Sequence, residues 1–174
     1  PPLALLFEVG ARHIALLRAL AEDGPLGMVH FDAHTDLFHS YFGGTMYTHG
    51  TPFRRAIEEE LLDPARVVQI GIRGSLYDRD TWKFSHDAGM KVAYIEEVEE
   101  KGWRRVMQDA LAFAGPGPIY VSVDIDSLDP AFAPGTGTPE SGGLTMRELQ
   151  GMIRMLKGQE IVGADLVEGS PPFD

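Results

Sequence analysis

The sequence predicts an α/β fold with a mainly parallel sheet, on three observations. Short runs dense in Val and Ile recur along the 174 residues. Several are continuously apolar, as strands covered on both faces are. Two long irregular stretches each follow a run that ends in carboxylates, where open α/β sheets place their ligands. In chain order, Leu3–Val9 is an apolar run broken only by Glu8 and reads as a strand, followed by a helix over Ile14–Ala21. Gly27–Phe31 (GMVHF) is the second strand, and Leu37–Thr51 has no regular pattern. Pro52–Leu62 reads as a helix, Val67–Ile72 as a strand, Asp78–Ala88 as a helix and Lys91–Ile95 as a strand. Trp103–Phe113 is the next helix and Ile119–Val123 the next strand. Ser127–Leu144 (SLDPAFAPGTGTPESGGL) is rich in Pro and Gly, and loops this long are functional or disordered. Thr145 and Glu148 form a capping box that opens a helix to Leu156, and Ile161–Val167 is the last strand.

Composition narrows the function. A hydrophobic content of 44% suffices for a core, and the length suits one domain. No apolar stretch approaches the roughly 18–20 residues that span a bilayer. There is no cysteine, which removes disulfides and thiolate chemistry and fits a cytoplasmic protein. The net charge of −11 argues against nucleic-acid or anionic-membrane partners and permits cations, either metal ions or a cationic substrate. The acidic run Glu96–Glu100 reads as a solvated loop or helix start. The chain opens directly into one apolar run and stops just after another, so residues 1–174 are expected to be a single domain incomplete at both ends, the central fragment of a longer chain.

The chemistry lies in two acidic clusters. "HFDAHTD" carries Asp32, His34 and Asp36, and "VSVDIDSLDP" carries Asp124, Asp126 and Asp129. Side chains two apart on a strand share a face, so Asp32 pairs with His34 and Asp124 with Asp126, while Asp36 joins if the chain turns. Buried carboxylates need compensation. With no basic partner nearby, carboxylate oxygen and imidazole together suit Mn²⁺ or a similar divalent ion, and more than one if carboxylates bridge. Each motif alone is also compatible with a capped turn.

The stretches "DAHTD", "SVDIDSLDPAFAPGTGTPESGGLT" and "DLVEGSPPFD", in that order, resemble the ureohydrolases: arginase, agmatinase, guanidinobutyrase and relatives. "YTHGTPFRRAIEEELLDPARVVQIGIRGSLY" is similar to the agmatinase and guanidinobutyrase branch. The resemblance implies a three-layer α/β/α, arginase-like fold and a trimer or hexamer. It implies a binuclear Mn²⁺ centre held by His13, Asp32, His34, Asp36, Asp124 and Asp126. Asp32 and Asp124 would bridge, with His13 and Asp36 on one metal and His34 and Asp126 on the other. The implied reaction is hydrolysis of a guanidinium to urea and an amine, agmatine giving putrescine first, with guanidinobutyrate or guanidinopropionate as alternatives. His49 matches the histidine that shuttles protons, and Glu168 the glutamate that binds the guanidinium. Glu140 and the loop Phe132–Gly143 would wall the pocket. His39 and His86 are read as surface residues, and Arg73 as structural, pairing loop carboxylates.

Two departures stand out. The family's first metal motif reads Gly-Gly-Asp-His-Ser, whereas "VGARHIALL" has Ala11 and Arg12 before His13 and no serine after it. A lost carboxylate behind a ligating histidine weakens it, so the His13 metal is expected to be the less tightly held. Gly169 stands where a larger residue is usual. The absence of Lys and Arg from Leu37–Thr51 favours a substrate with a cationic or neutral tail. Competing readings are a dinuclear metallophosphoesterase, whose Asn-His ligand motif is missing, and an inactive truncated homologue.

Overall fold

The computed structural model describes residues 12–41, 43–76 and 79–173. Among the described residues five strands form one sheet: β1 (Leu26–Phe31), β2 (Leu62–Ile72), β3 (Lys91–Tyr94), β4 (Ile119–Asp124) and β5 (Ile161–Val167). All neighbours pair in parallel, in the order β3-β2-β1-β4-β5. The expected parallel sheet is therefore present. The strand expected at Leu3–Val9 lies outside the described residues. β2 starts five residues before its apolar run, because Leu62 pairs with Leu26 ahead of a register shift.

Helices connect the strands. Residues 12–20 form α1, followed by α2 (Pro52–Glu58), α3 (Arg79–Asp87), α4 (Ile95–Lys101), α5 (Trp103–Ala114) and α6 (Met146–Met155). Two hydrophobic clusters flank the sheet. One joins Val29, Phe31, Val68, Ile70 and Val121 to Val106, Met107 and Ala110 of α5 and Leu149 and Met152 of α6. The other joins Met28, Val67 and Tyr120 to Ile14 and Leu17 of α1 and to Phe53 and Ala56 of α2. β1 and β4 are buried along their whole length, which is why they are dense in apolar residues rather than alternating.

The acidic run 96–100 lies inside α4, with Ile95 as its first residue rather than the last of a strand. Glu97 and Lys101 pair across one turn at 2.9 Å. The capping box of α6 is formed: Thr145 Oγ1 accepts from the Glu148 N–H, and Glu148 accepts from the Thr145 N–H.

From β1 the chain moves outward through β2 to β3, then crosses back to place β4 on the other side of β1. The crevice beyond the C-terminal ends of β1 and β4 is thus the topological switch point, where α/β sheets bind ligands.

Candidate metal centre

Asp32 follows the last residue of β1, and Asp124 is the last residue of β4. Because these strands pair directly, the two acidic clusters meet. Past Asp32, the Ala33 N–H donates to Asp126 Oδ1 at 3.1 Å, and the His34 N–H donates to Asp32 Oδ1 at 2.6 Å. Beyond β4 a single 3₁₀ turn, Ile125–Ser127, brings Asp126 round, its N–H donating to Asp124 Oδ1 at 2.9 Å. Asp36 turns back by adopting the left-handed region, with φ 53°.

His34 Nδ1 lies 3.1 Å from Asp126 Oδ2 and 3.5 Å from Asp32 Oδ1, and Thr138 Oγ1 donates to Asp126 Oδ2 at 3.0 Å. Donor atoms of Asp32, His34 and Asp126 lie within 4.8 Å of one another, as do those of His30, Asp32 and Asp36. Gly74 makes room for this arrangement: a Cβ there would meet His34 Cδ2 at 2.5 Å.

The electrostatics are those of a crowded anionic cage. Burial, with Asp126 close by, pushes Asp32 up to about 7. Burial also raises Asp36 and Asp124 well above the carboxylate range, in both cases helped by the charge of Asp32. Burial opposes charge on His34, but hydrogen bonds and charges from Asp126 and Asp32 overcome it and raise the imidazole to about 11. Burial likewise pushes Asp126 up, and His34 outweighs that to hold it low. A dication would replace protons as the counter-charge, so the donor set fits one.

A cavity of about 180 Å³ opens on the cage, lined among others by Asp36, His49, Asp124, Asp126, Glu140 and Glu168. No Lys or Arg is among the lining residues. Glu168 follows β5 at φ 60°, and its buried Oε1 has no hydrogen-bond partner. Burial and the charge of Asp126 raise its pKa. His49 is half-buried, and burial together with the His34 charge lowers its pKa.

His13 sits apart. It lines a separate cavity of about 440 Å³ with Asp165 and Glu168, and its Nε2 is 2.9 Å from Asp165 Oδ2. It belongs to neither convergent donor group. Asp165 in turn accepts from the Tyr120 hydroxyl and, at 2.8 Å, from Ser122 Oγ. A carboxylate beside His13 is thus present, contributed by Asp165 of β5.

Two of these residues were not singled out from the sequence. His30 stands two before Asp32 and shares its strand face, a periodicity that could have marked it. Asp165 is the only acid in "IVGADLV". Arg73 is structural as expected, but it binds backbone carbonyls, including Asp126 O at 2.8 Å and Glu140 O at 2.7 Å, and so ties the turn after β4 to the long loop. That loop is ordered: Leu128 bridges Leu144, and Asp129 Oδ2 accepts from the Gly142 N–H at 2.7 Å. His39 and His86 are exposed.

Residues 12–174 match the Arginase family. The chain belongs to the arginase family. As an arginase-family chain it is 56% identical over 173 residues to guanidinopropionase from Pseudomonas aeruginosa, covering 98% of this chain and 54% of that protein. It is 51% identical over 160 residues to mitochondrial agmatinase from Gallus gallus, covering 91% and 47%. The structure of proclavaminate amidino hydrolase from Streptomyces clavuligerus superposes with a TM-score of 0.87 at 46% identity, over 92% of this chain and 54% of that one. The chain spans about half the length of the curated relatives it matches.

Proposed function

We propose that this arginase-family chain is a Mn²⁺-dependent amidinohydrolase that converts a linear guanidino compound, agmatine first, to urea and an amine. The observation that carries the reading is the pair of convergent donor groups, Asp32 with His34 and Asp126 and Asp32 with His30 and Asp36, next to Asp124 at the sheet's switch point and opening on a cavity whose described lining holds no Lys or Arg. These residues would hold two Mn²⁺, with His13 as the sixth ligand the family resemblance supplies. Bound metal supplies Lewis acidity that makes a nucleophile from water near neutral pH.

The protein's own groups account for the rest. Glu168 offers the guanidinium a carboxylate with an unused buried oxygen, fit for a charge-assisted hydrogen bond. Its left-handed backbone turns it off β5 toward the shared cavity. Burial, with the charge of His34, lowers the His49 imidazole and favours its neutral form, which suits a group that takes up a proton and returns it to the departing amine. Glu140 leaves the cavity wall acidic, favouring a cationic substrate tail. We take residues 1–174 as one domain of a cytoplasmic homo-oligomer, a trimer or hexamer, consistent with the cysteine-free composition. Among the described residues no helix is long and apolar enough to cross a membrane.

A second reading, 3-guanidinopropionate as substrate, is favoured by the 56% identity to guanidinopropionase; 4-guanidinobutyrate is its close variant. Urea release from agmatine, both guanidino acids and arginine, with and without Mn²⁺, separates these. We expect turnover of agmatine that chelation abolishes and Asp126→Ala removes. Turnover by Asp126→Ala equal to the parent chain would sink the assignment.

A further inference from the structure

Beneath the cage lies a buried polar chain that the proposed reaction does not use. His30, on β1, is 1% exposed, and Gln69, opposite it on β2, is 0% exposed. Gln69 Nε2 donates to the Thr35 carbonyl at 2.6 Å, which fixes which end of the amide faces the loop. The reverse orientation would set two oxygens against each other there. The same Nε2 lies 3.0 Å from His30 Nδ1. An amide N–H can only donate, so Nδ1 is the acceptor and the ring proton sits on Nε2. His30 Nε2 is 2.8 Å from Asp32 Oδ2, a buried oxygen that makes no hydrogen bond of good geometry among the described residues, so the two are in close contact without being aligned. Phe53 packs edge-on against the ring, with the centroids 4.5 Å apart.

We infer that His30 and Gln69 are positioning residues: Thr35, Gln69 and His30 form a relay that fixes the His30 tautomer and presents an N–H to Asp32, orienting that carboxylate for the metal. The inference rests on the metal-centre reading above. It assigns His30 a place behind a ligand rather than a bond to the ion, although its ring approaches Asp36 and Asp32 as closely as a ligand would. Nδ1 is engaged by Gln69, and Nε2 lies against the Asp32 oxygen at 2.8 Å, close enough to steer that carboxylate. An imidazole N–H that steers a carboxylate is a familiar outer partner of metal sites, and its loss costs about 10–100-fold in affinity.

The test is Mn²⁺ titration of the metal-free chain by calorimetry and electron paramagnetic resonance, comparing the parent with His30→Leu, His30→Gln and Gln69→Leu. His30→Gln keeps an N–H donor close to the Nε2 position. The relay predicts that His30→Leu weakens Mn²⁺ binding about 10–100-fold and that His30→Gln recovers most of it. Gln69→Leu should show a smaller loss and a broadened resonance from the loosened ligand. Equal weakening in His30→Gln and His30→Leu would overturn the inference, since the imidazole would then act as ligand or as packing. Parent-like binding in all three would overturn it as well. If His30→Leu does not fold, Gln69→Leu decides, with unchanged affinity counting against the relay. A parent chain that binds no Mn²⁺ brings down the metal-centre reading itself, an outcome distinct from tight parent binding with indifferent variants.

Discussion

Asp36 and Glu168 share a left-handed backbone, with φ of 53° and 60°, and both line the cavity on the cage. Such conformations cost L-residues about 1–2 kcal/mol and persist where the surroundings enforce them. Here they re-aim two carboxylates that an extended chain would carry past the crevice. Gly74 serves the same end by leaving space. Gly74→Ala puts a methyl 2.8 Å from His34 Nε2 as well as against the ring carbon, so the imidazole must swing away from Asp126. We expect Gly74→Ala to lower Mn²⁺ affinity about tenfold, in the range found when a ligand's orientation is disturbed. Calorimetric titration reads this directly, and unchanged affinity would mean that His34 is not held by that contact.

At the scale of elements, α6 shows how a local signal becomes stability. Its capping box satisfies end donors that helix geometry leaves open. Thr145→Ala should cost about 1 kcal/mol, a drop in Tm of about 2–4 °C for a domain of this size, with Mn²⁺ binding unaltered. Differential scanning calorimetry checks it. The box was legible because it lies within four consecutive residues. The buried strands were legible too, since β1 and β4 are dense in apolar residues and carry only His30, Ser122 and Asp124 as polar exceptions. α4 was not: only Val98 of its seven residues is buried, so charge masks its period. In the cage, the clustering of Asp32, His34 and Asp126 at strand ends was legible, but their convergence comes from the bend after β1 and the 3₁₀ turn after β4 rather than from strand alternation. The His30–Gln69 pair could not, because it exists only once β1 and β2 are neighbours in register. The pairing of His13 with Asp165 likewise depends on α1 meeting β5.

For the whole molecule, the cage ties stability to metal and pH together. Asp32 holds its proton in the metal-free fold up to about 7, against an ordinary value near 4. Stability from that raised pKa is fully present below the unfolded value and is lost as pH rises through about 7. A bound ion would reverse this, since it would require Asp32 ionised and His34 without its ring proton at the coordinating nitrogen. Each proton released makes affinity rise about tenfold per pH unit. The rise in Tm on adding Mn²⁺ should therefore grow from pH 5 to pH 7.5, measured by thermal melts at fixed metal. A constant rise across that range would contradict the linkage. One consequence of the strand order remains. The bond from Ala33 to Asp126 closes a loop of 93 residues, so the two halves of the cage are strangers until β4 slots in beside β1. The group of Asp32, His34 and Asp126 therefore exists only once β4 has paired with β1, whereas His30, Asp32 and Asp36 converge within residues 30–36, so the two donor groups differ in how much of the chain must be in place before they form.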